Sequence, residues 1–285
     1  MPHTSRKKKN IHSKRREIVD DDGWTRVTSN SSTPPTVELR NQTKGEWEQI
    51  PNGSAGVHTL VGGLRSLSSP MPPVKGSTLE TMRAQFARIE ERWLKTDLCR
   101  RLEQILRDRI LTRGCRISNC AVFGTGSFCG DAVHWIDRHE SAYFQLAAFR
   151  TVVQSIERMQ GPVLQAYAQE PYYNDLDTCF LTSLNITKVD HPRGFEVLDG
   201  NSFAYSPAAE PEVESQITPR APRIWLHRSF DYSGEGEKES DASSHTKALY
   251  QRSHEHAVLP ESDLKNLPFH GSVIWWRKTD DTDEK

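Results

Sequence analysis

The sequence predicts an α/β fold: a single Rossmann-like domain with a mostly parallel sheet flanked by helices, preceded by a long disordered N-terminal arm. Three observations predict it. A short apolar run, Ala121–Phe123, enters a Gly124-Thr125-Gly126-Ser127 turn, and a helical pattern follows, which reads as strand, tight turn, helix. Strand-like and helix-like segments then alternate to about residue 205, which favours a parallel sheet with helices on its faces. Only 35% of the 285 residues are hydrophobic, and Gly, Pro, Ser and charge concentrate at the start and between 206 and 262, so polar segments dilute a core of ordinary composition.

Residues 1–77 read as the disordered arm. Arg6, Lys7, Lys8, Lys9, Lys14, Arg15 and Arg16 make its start basic, and the two clusters are spaced like the halves of a bipartite nuclear import signal or are simply a solvated tail. No aromatic residues interleave with these charges, so nucleic-acid binding is not expected. No packed structure is expected over 1–22, and 22–27, Asp-Gly-Trp-Thr-Arg-Val, forms a small apolar island. Thr28 to Ser77 is rich in Ser, Thr, Pro and Gly and reads as a linker.

The domain is expected over 78–278. Thr78, with Thr81 behind it, caps a helix whose apolar residues recur from Leu79 to Ile110 at helical spacing, closed by Gly114. Arg116 to Phe123 form the first strand, the glycine turn follows, and Tyr143, Leu146, Phe149, Val152, Ile156 and Met159 mark a helix that stops at Gly161-Pro162. Val163 to Gln169 is strand-like, Asp175 to Leu184 a short helix, and Ile186 to Asp190 a strand. Gly194 to Leu198 and Phe203 to Tyr205 read as one or two more strands, and Arg223 to Leu226 as another. A flexible polar loop is expected around 231–248, an apolar last strand over Ser272–Arg277, and an acidic tail over 279–285.

The totals narrow the functional classes. Thirty-seven basic against 38 acidic residues give a net charge of −1, so the whole chain has no electrostatic preference for nucleic acid or an anionic membrane. Five cysteines include no Cys-x-x-Cys pair, which with no signal peptide argues for reduced thiols in the cytosol or nucleus. No apolar run approaches the ~20 residues of a membrane helix, so a soluble protein is expected.

Candidate chemistry centres on the turn. Gly124, Thr125, Gly126 and Ser127 could cradle a nucleotide or S-adenosylmethionine, with Glu170 at the tip of the second strand binding ribose hydroxyls; equally, the glycines only let the strand turn. Glu170 stands 46 residues after Gly124, against ~20 in the dinucleotide fingerprint, so the intervening segment must loop out. His134, with Asp137 and His139, gathers after the turn, and Asp175, Asp177, His191 and Asp199 lie downstream, as acid–base partners if they converge or as caps and loop residues if they do not. His254 and His256 alternate as on one face of a strand, but no third ligand stands at a helpful spacing, so no metal is expected. Cys120 and Cys129 flank the turn as small buried side chains or as thiols activated by a helix dipole.

Four motifs in order carry a resemblance: Phe123 to Phe128, Gln145 to Phe149, Ala168 to Pro171, and Phe203 to Pro207 followed by Ala208-Ala209-Glu210. In this the chain resembles the sensitivity-to-red-light-reduced (SRR-like) domain family, in particular its fungal branch, which the Trp-x-Arg type of ending at Val273 to Lys278 and the tryptophan motif at 22–27 also resemble. Gln-Glu-Pro at 169–171 stands where the family more often has Gln-Asp-Pro, keeping the carboxylate. The resemblance implies a non-enzymatic regulatory protein, associated with light and circadian signalling and with cytoskeletal or haem-related regulation. It would act in cytoplasm and nucleus on an unidentified protein partner and bind a small ligand. The alternative is a nucleotide- or S-adenosylmethionine-dependent enzyme built on the turn and Glu170.

Overall fold

The computed structural model describes residues 16–19, 25–28, 69–111, 116–131, 139–161, 165–207, 211–230, 241–264 and 268–278. The chain divides into two units, 1–59 and 60–285. In the first, β1 (Arg16–Val19) and β2 (Thr25–Thr28) pair antiparallel, Arg16 opposite Thr28 and Val19 opposite Thr25. Ile18, Val19, Thr25, Val27 and Thr28 are β-branched, which favours this local pairing. The basic clusters before Arg16, Trp24, and the acidic tail lie outside the described residues.

The second unit is built on a sheet with strand order β5-β4-β3-β6-β7-β9-β8. These strands are β3 (Asn119–Phe123), β4 (Gln165–Gln169), β5 (Ile186–Lys188), β6 (Ser202–Ser206), β7 (Ile224–Arg228), β8 (His254–Val258) and β9 (Ser272–Arg277). β5, β4, β3, β6 and β7 run parallel, while β9 is antiparallel to both its neighbours. β3 and β6 are buried along nearly their whole length, as central strands covered on both faces must be.

One face carries α1 (Leu79–Leu94), α2 (Asp97–Ile105), α3 (His139–Gln160) and α4 (Asp175–Thr182). Thr78 caps α1 as expected: its Oγ1 accepts the Thr81 N–H at 3.1 Å while Thr81 Oγ1 accepts the Thr78 N–H at 3.0 Å. α1 buries Met82, Phe86, Ile89 and Trp93, and the Trp93 indole N–H donates to Thr151 Oγ1 on α3 at 2.8 Å. The apolar repeat from Leu79 to Ile110 is not one helix. Lys95 and Thr96 break it, Thr96 Oγ1 caps α2 by accepting the Cys99 N–H at 3.1 Å, and a π-helical turn follows over Leu106–Ile110. Leu94, the last residue of α1, lies off its buried stripe and is exposed.

The other face carries α5 (Arg193–Glu196), α6 (Pro211–Ile217) and α7 (Asp241–Ser253). None of these was expected from the sequence. The segment Gly194 to Leu198 holds most of α5 and no strand, because the Gly194 N–H bonds Gln169 Oε1 at 2.9 Å and Phe195 stacks on Phe123 with ring centroids 4.7 Å apart. The segment 241–248, expected in the polar loop, is helical and brings Tyr250 into the core beside Trp225 and Trp275. Residues 231–240 lie outside the described ones. The domain also begins earlier than Thr78: Met71 N–H donates to the Tyr172 carbonyl at 3.0 Å, and Val74 N–H to the Cys129 carbonyl at 2.7 Å.

β8 places His254 in the interior, 2% exposed, stacked on Tyr250 with Nδ1 2.9 Å from the Tyr250 carbonyl. His256 faces the same side but is exposed and stacks on Trp275. Burial lowers the His254 pKa to about 4, below its ordinary 6.5. The unfolded chain therefore binds the proton first, so this residue's stabilising contribution is whole above pH 6.5 and drains away as pH falls to about 4. Urea unfolding of His254→Phe should show a shallower loss of stability across that window than the wild-type chain, by up to roughly 3 kcal/mol.

Candidate functional site

Strand order reverses between β3 and β6, and in doubly wound sheets ligands bind beyond the carboxyl ends of the strands at such a switch point. The glycine turn leaves the carboxyl end of β3 there. Gly124 at φ 72° and Gly126 at φ 75° have left-handed backbone, which an L side chain resists, so the turn requires both glycines. Glu170 follows β4 directly, and its Oε2 accepts the Gly126 N–H at 3.0 Å while Oε1 accepts the Tyr172 N–H at 3.1 Å. The structure thus brings together the turn and the second-strand carboxylate across the 46 residues between them, most of which are α3 and its flanking loops.

Asp177 is the centre of this region. It is 0% exposed, and its two oxygens accept from Ser127 Oγ at 2.6 Å, the Phe128 N–H at 2.9 Å and the Asn174 N–H at 3.0 Å. Asn174 completes a capping box: its Oδ1 accepts the Leu176 and Asp177 N–H groups, and its Nδ2 donates to the Met71 carbonyl at 2.7 Å. Burial raises the Asp177 pKa, and the bonds from Ser127, Asn174 and Phe128 oppose the rise. Thr125 Oγ1 lies 2.6 Å from the Tyr173 hydroxyl, another buried pair. The Cys129 thiol, packed against Asn174 and Asp177, is pushed up to about 11 by burial. Cys120 is also raised by burial, so both behave as buried, protonated thiols and not as activated ones.

A family model for the SRR1 domain matches residues 98–276. The chain belongs to the SRR1 domain family. The matched region opens inside α2 and closes in β9, so α1 and the 71–74 segment lie ahead of it although both pack onto the domain. No curated protein matches the sequence significantly. Among solved structures, the chain is similar to a Burkholderia thailandensis 1,6-didemethyltoxoflavin-N1-methyltransferase, crystallised with 1,6-didemethyltoxoflavin and S-adenosylhomocysteine. Identity is 14%, coverage is 74% of this chain and 95% of that one, and the TM-score is 0.32.

The remaining sequence candidates scatter over the SRR1 domain. His134 and Asp137 lie outside the described residues. His139 Nε2 is 2.9 Å from the Gly130 carbonyl at the start of α3. Asp199 accepts from Ser202 Oγ and the Asn201 N–H in the turn before β6, at the opposite edge of the sheet. Clefts among the described residues include two of note. One of about 360 Å³ borders the end of the turn between Thr81, Gln85, Phe128, His139 and Tyr143. The other, of about 550 Å³, lies at the amino edge between Asn119, Gln160, Gln165 and Arg193, away from every candidate at the turn.

Asn174 and Tyr173 were not anticipated. The signal for Asn174 was present, since Asn174-Asp175-Leu176-Asp177 has the spacing of a capping box before a helix. Asp177 was anticipated only as one of several scattered carboxylates. Its position makes a direct prediction: Asp177→Ala leaves Ser127 Oγ and two backbone N–H groups buried without an acceptor and should cost about 3 kcal/mol in urea unfolding. Gly130→Ala offers a steric control, because a Cβ there would lie 2.7 Å from Met71 Cβ and 2.9 Å from Ser127 Oγ. It should destabilise by about 1–3 kcal/mol through overpacking.

Proposed function

We propose that this SRR1-family protein is a non-enzymatic regulator that works by binding a protein partner, with a small-ligand site at the carboxyl edge of its sheet. The observation that supports this reading is the commitment of the glycine turn to its own protein: Gly126 N–H to Glu170, Ser127 Oγ and Phe128 N–H to Asp177, and Thr125 to Tyr173. A phosphate cradle offers its backbone N–H groups to the ligand, whereas here internal acceptors hold those of Gly126 and Phe128. The turn is itself buried, so its polar groups are spent on holding the domain together. The basic start of the arm supports a distribution between nucleus and cytoplasm.

The second reading is an enzyme dependent on a nucleotide or S-adenosylmethionine. It is favoured by one observation, the placement of Glu170 at the tip of β4 facing a glycine turn at the switch point, where a ribose-binding carboxylate belongs in doubly wound folds.

Thermal unfolding of the full chain with adenine nucleotides, NAD and S-adenosylmethionine separates the two. The regulatory reading expects no stabilisation by any of these. A ligand at a hundred times its dissociation constant would add ~2.7 kcal/mol, and that shift accompanied by turnover would replace the first reading with the second. Tagged full-length protein is expected in both nucleus and cytoplasm with a stoichiometric partner, and deletion of 1–16 should deplete the nuclear pool. An unchanged distribution would remove the import role.

A further inference from the structure

Two strands away from the glycine turn, the same carboxyl edge has the opposite character. His227 is the penultimate residue of β7, beside Ser206, its register partner at the end of β6, and is 0% exposed. Its ring stacks on Trp225 at 4.0 Å between centroids and meets Phe230 at 4.5 Å. The Trp225 indole N–H donates to Ser206 Oγ at 3.0 Å. From α6, Glu214 brings Oε1 to 3.4 Å from His227 Nδ1, and Lys247 of α7 stands 3.9 Å from Glu214 Oε2. Yet neither imidazole nitrogen has a partner in good hydrogen-bond geometry, although Glu214 and the Arg228 backbone stand near enough to oppose the effect of burial on the ring, and Glu214 Oε2 has no such partner either. Buried polar atoms are rarely left this way, and three within one contact group call for a cause.

We propose that Glu214 and His227 form a binding site for an uncharged, planar ligand that presents N–H donors, such as a carboxamide or an aminoheterocycle. The orphaned atoms specify the class. Burial lowers the His227 pKa, so the ring is neutral, and with Nδ1 facing the carboxylate the N–H belongs there and Nε2 is left as an acceptor. Glu214 Oε2 is a second acceptor. A ligand completing both must donate. A cationic donor would meet Lys247, and an anion would meet Glu214 in a dry environment, so neither charge is favoured. Trp225 and Phe230 pack on His227 itself and make the surroundings of its ring aromatic, which suits a planar group. Because His227 is wholly buried, a ligand reaches it by parting α6 or α7 from the sheet.

The test uses the full chain labelled with ¹⁵N-histidine, with adenine and nicotinamide as probes. His227 is assigned by the resonance missing from His227→Phe, a substitution that keeps the aromatic stack. The proposal expects at least one probe to shift the His227 Nε2 resonance and to raise the melting temperature of the wild-type chain. It expects both responses to fall at least tenfold in apparent affinity in Glu214→Gln. It further expects His227→Phe to melt at or above the wild-type temperature with no response to the probe, since a residue kept for binding and not for stability is not missed by the fold. Silence of the wild-type His227 resonance to both probes would overturn the site, and so would an undiminished response in either variant. A lower melting temperature in both variants with no probe response in the wild type would assign the pair to structure alone.

Discussion

A carboxylate with no access to water holds the carboxyl edge of this domain together. Asp177 accepts from the turn after β3 and from the backbone that starts α4, so one side chain fixes two segments 50 residues apart in the sequence. Asn174, in the cap that Asp177 completes, extends the tie to Met71 and so to the segment leading into α1. Each donor satisfied here would otherwise be stranded in a dry interior, and that cost makes the geometry exacting. The burial that raises the Asp177 pKa and the hydrogen bonds that lower it are two sides of the same arrangement.

How much of this could be read from the sequence depended on whether the signal was local. The strands at 119–123, 202–206 and 272–277 are short apolar runs bounded by turn residues, and the Thr78 cap is a four-residue pattern, so both were legible. α6 and α7 were not, since their segments are polar and their helicity rests on single anchors such as Ile217 and Tyr250 meeting the sheet. The break at Thr96 was hidden for the converse reason: the apolar repeat continues across it, while capping decides the geometry. At the site, the strand-tip position of Glu170 was foreseeable from doubly wound logic, because the excess spacing is taken up by the length of α3. The convergence of Asp177 with Ser127 was not, since the capping-box spacing singles out Asp177 locally but carries no information on a contact 50 residues away.

The two groups at the carboxyl edge differ in how their polar atoms are spent. Around the turn, Glu170 and Asp177 accept bonds from the protein itself. Around β7, a histidine and a glutamate stand close without bonding. Natural sequences that satisfy one buried network and leave its neighbour incomplete usually do so where something other than folding has selected the residues. The aromatic density around His227, with Trp225 and Phe230 on its ring and Tyr250 and Trp275 packed against those two, keeps that incompleteness dry and therefore costly.

The position of β9 also has a genetic consequence. The last strand in the sequence is not the last in the sheet; it is inserted between β7 and β8 and is the only described partner of β8. A premature stop codon before Ser272 would therefore remove an interior strand and not trim a margin. The truncated product would carry β8 with no described neighbour and β7 with a bare row of backbone donors and acceptors, an edge open to pairing with another chain. Loss of β9 would thus split the sheet and leave the domain prone to aggregate.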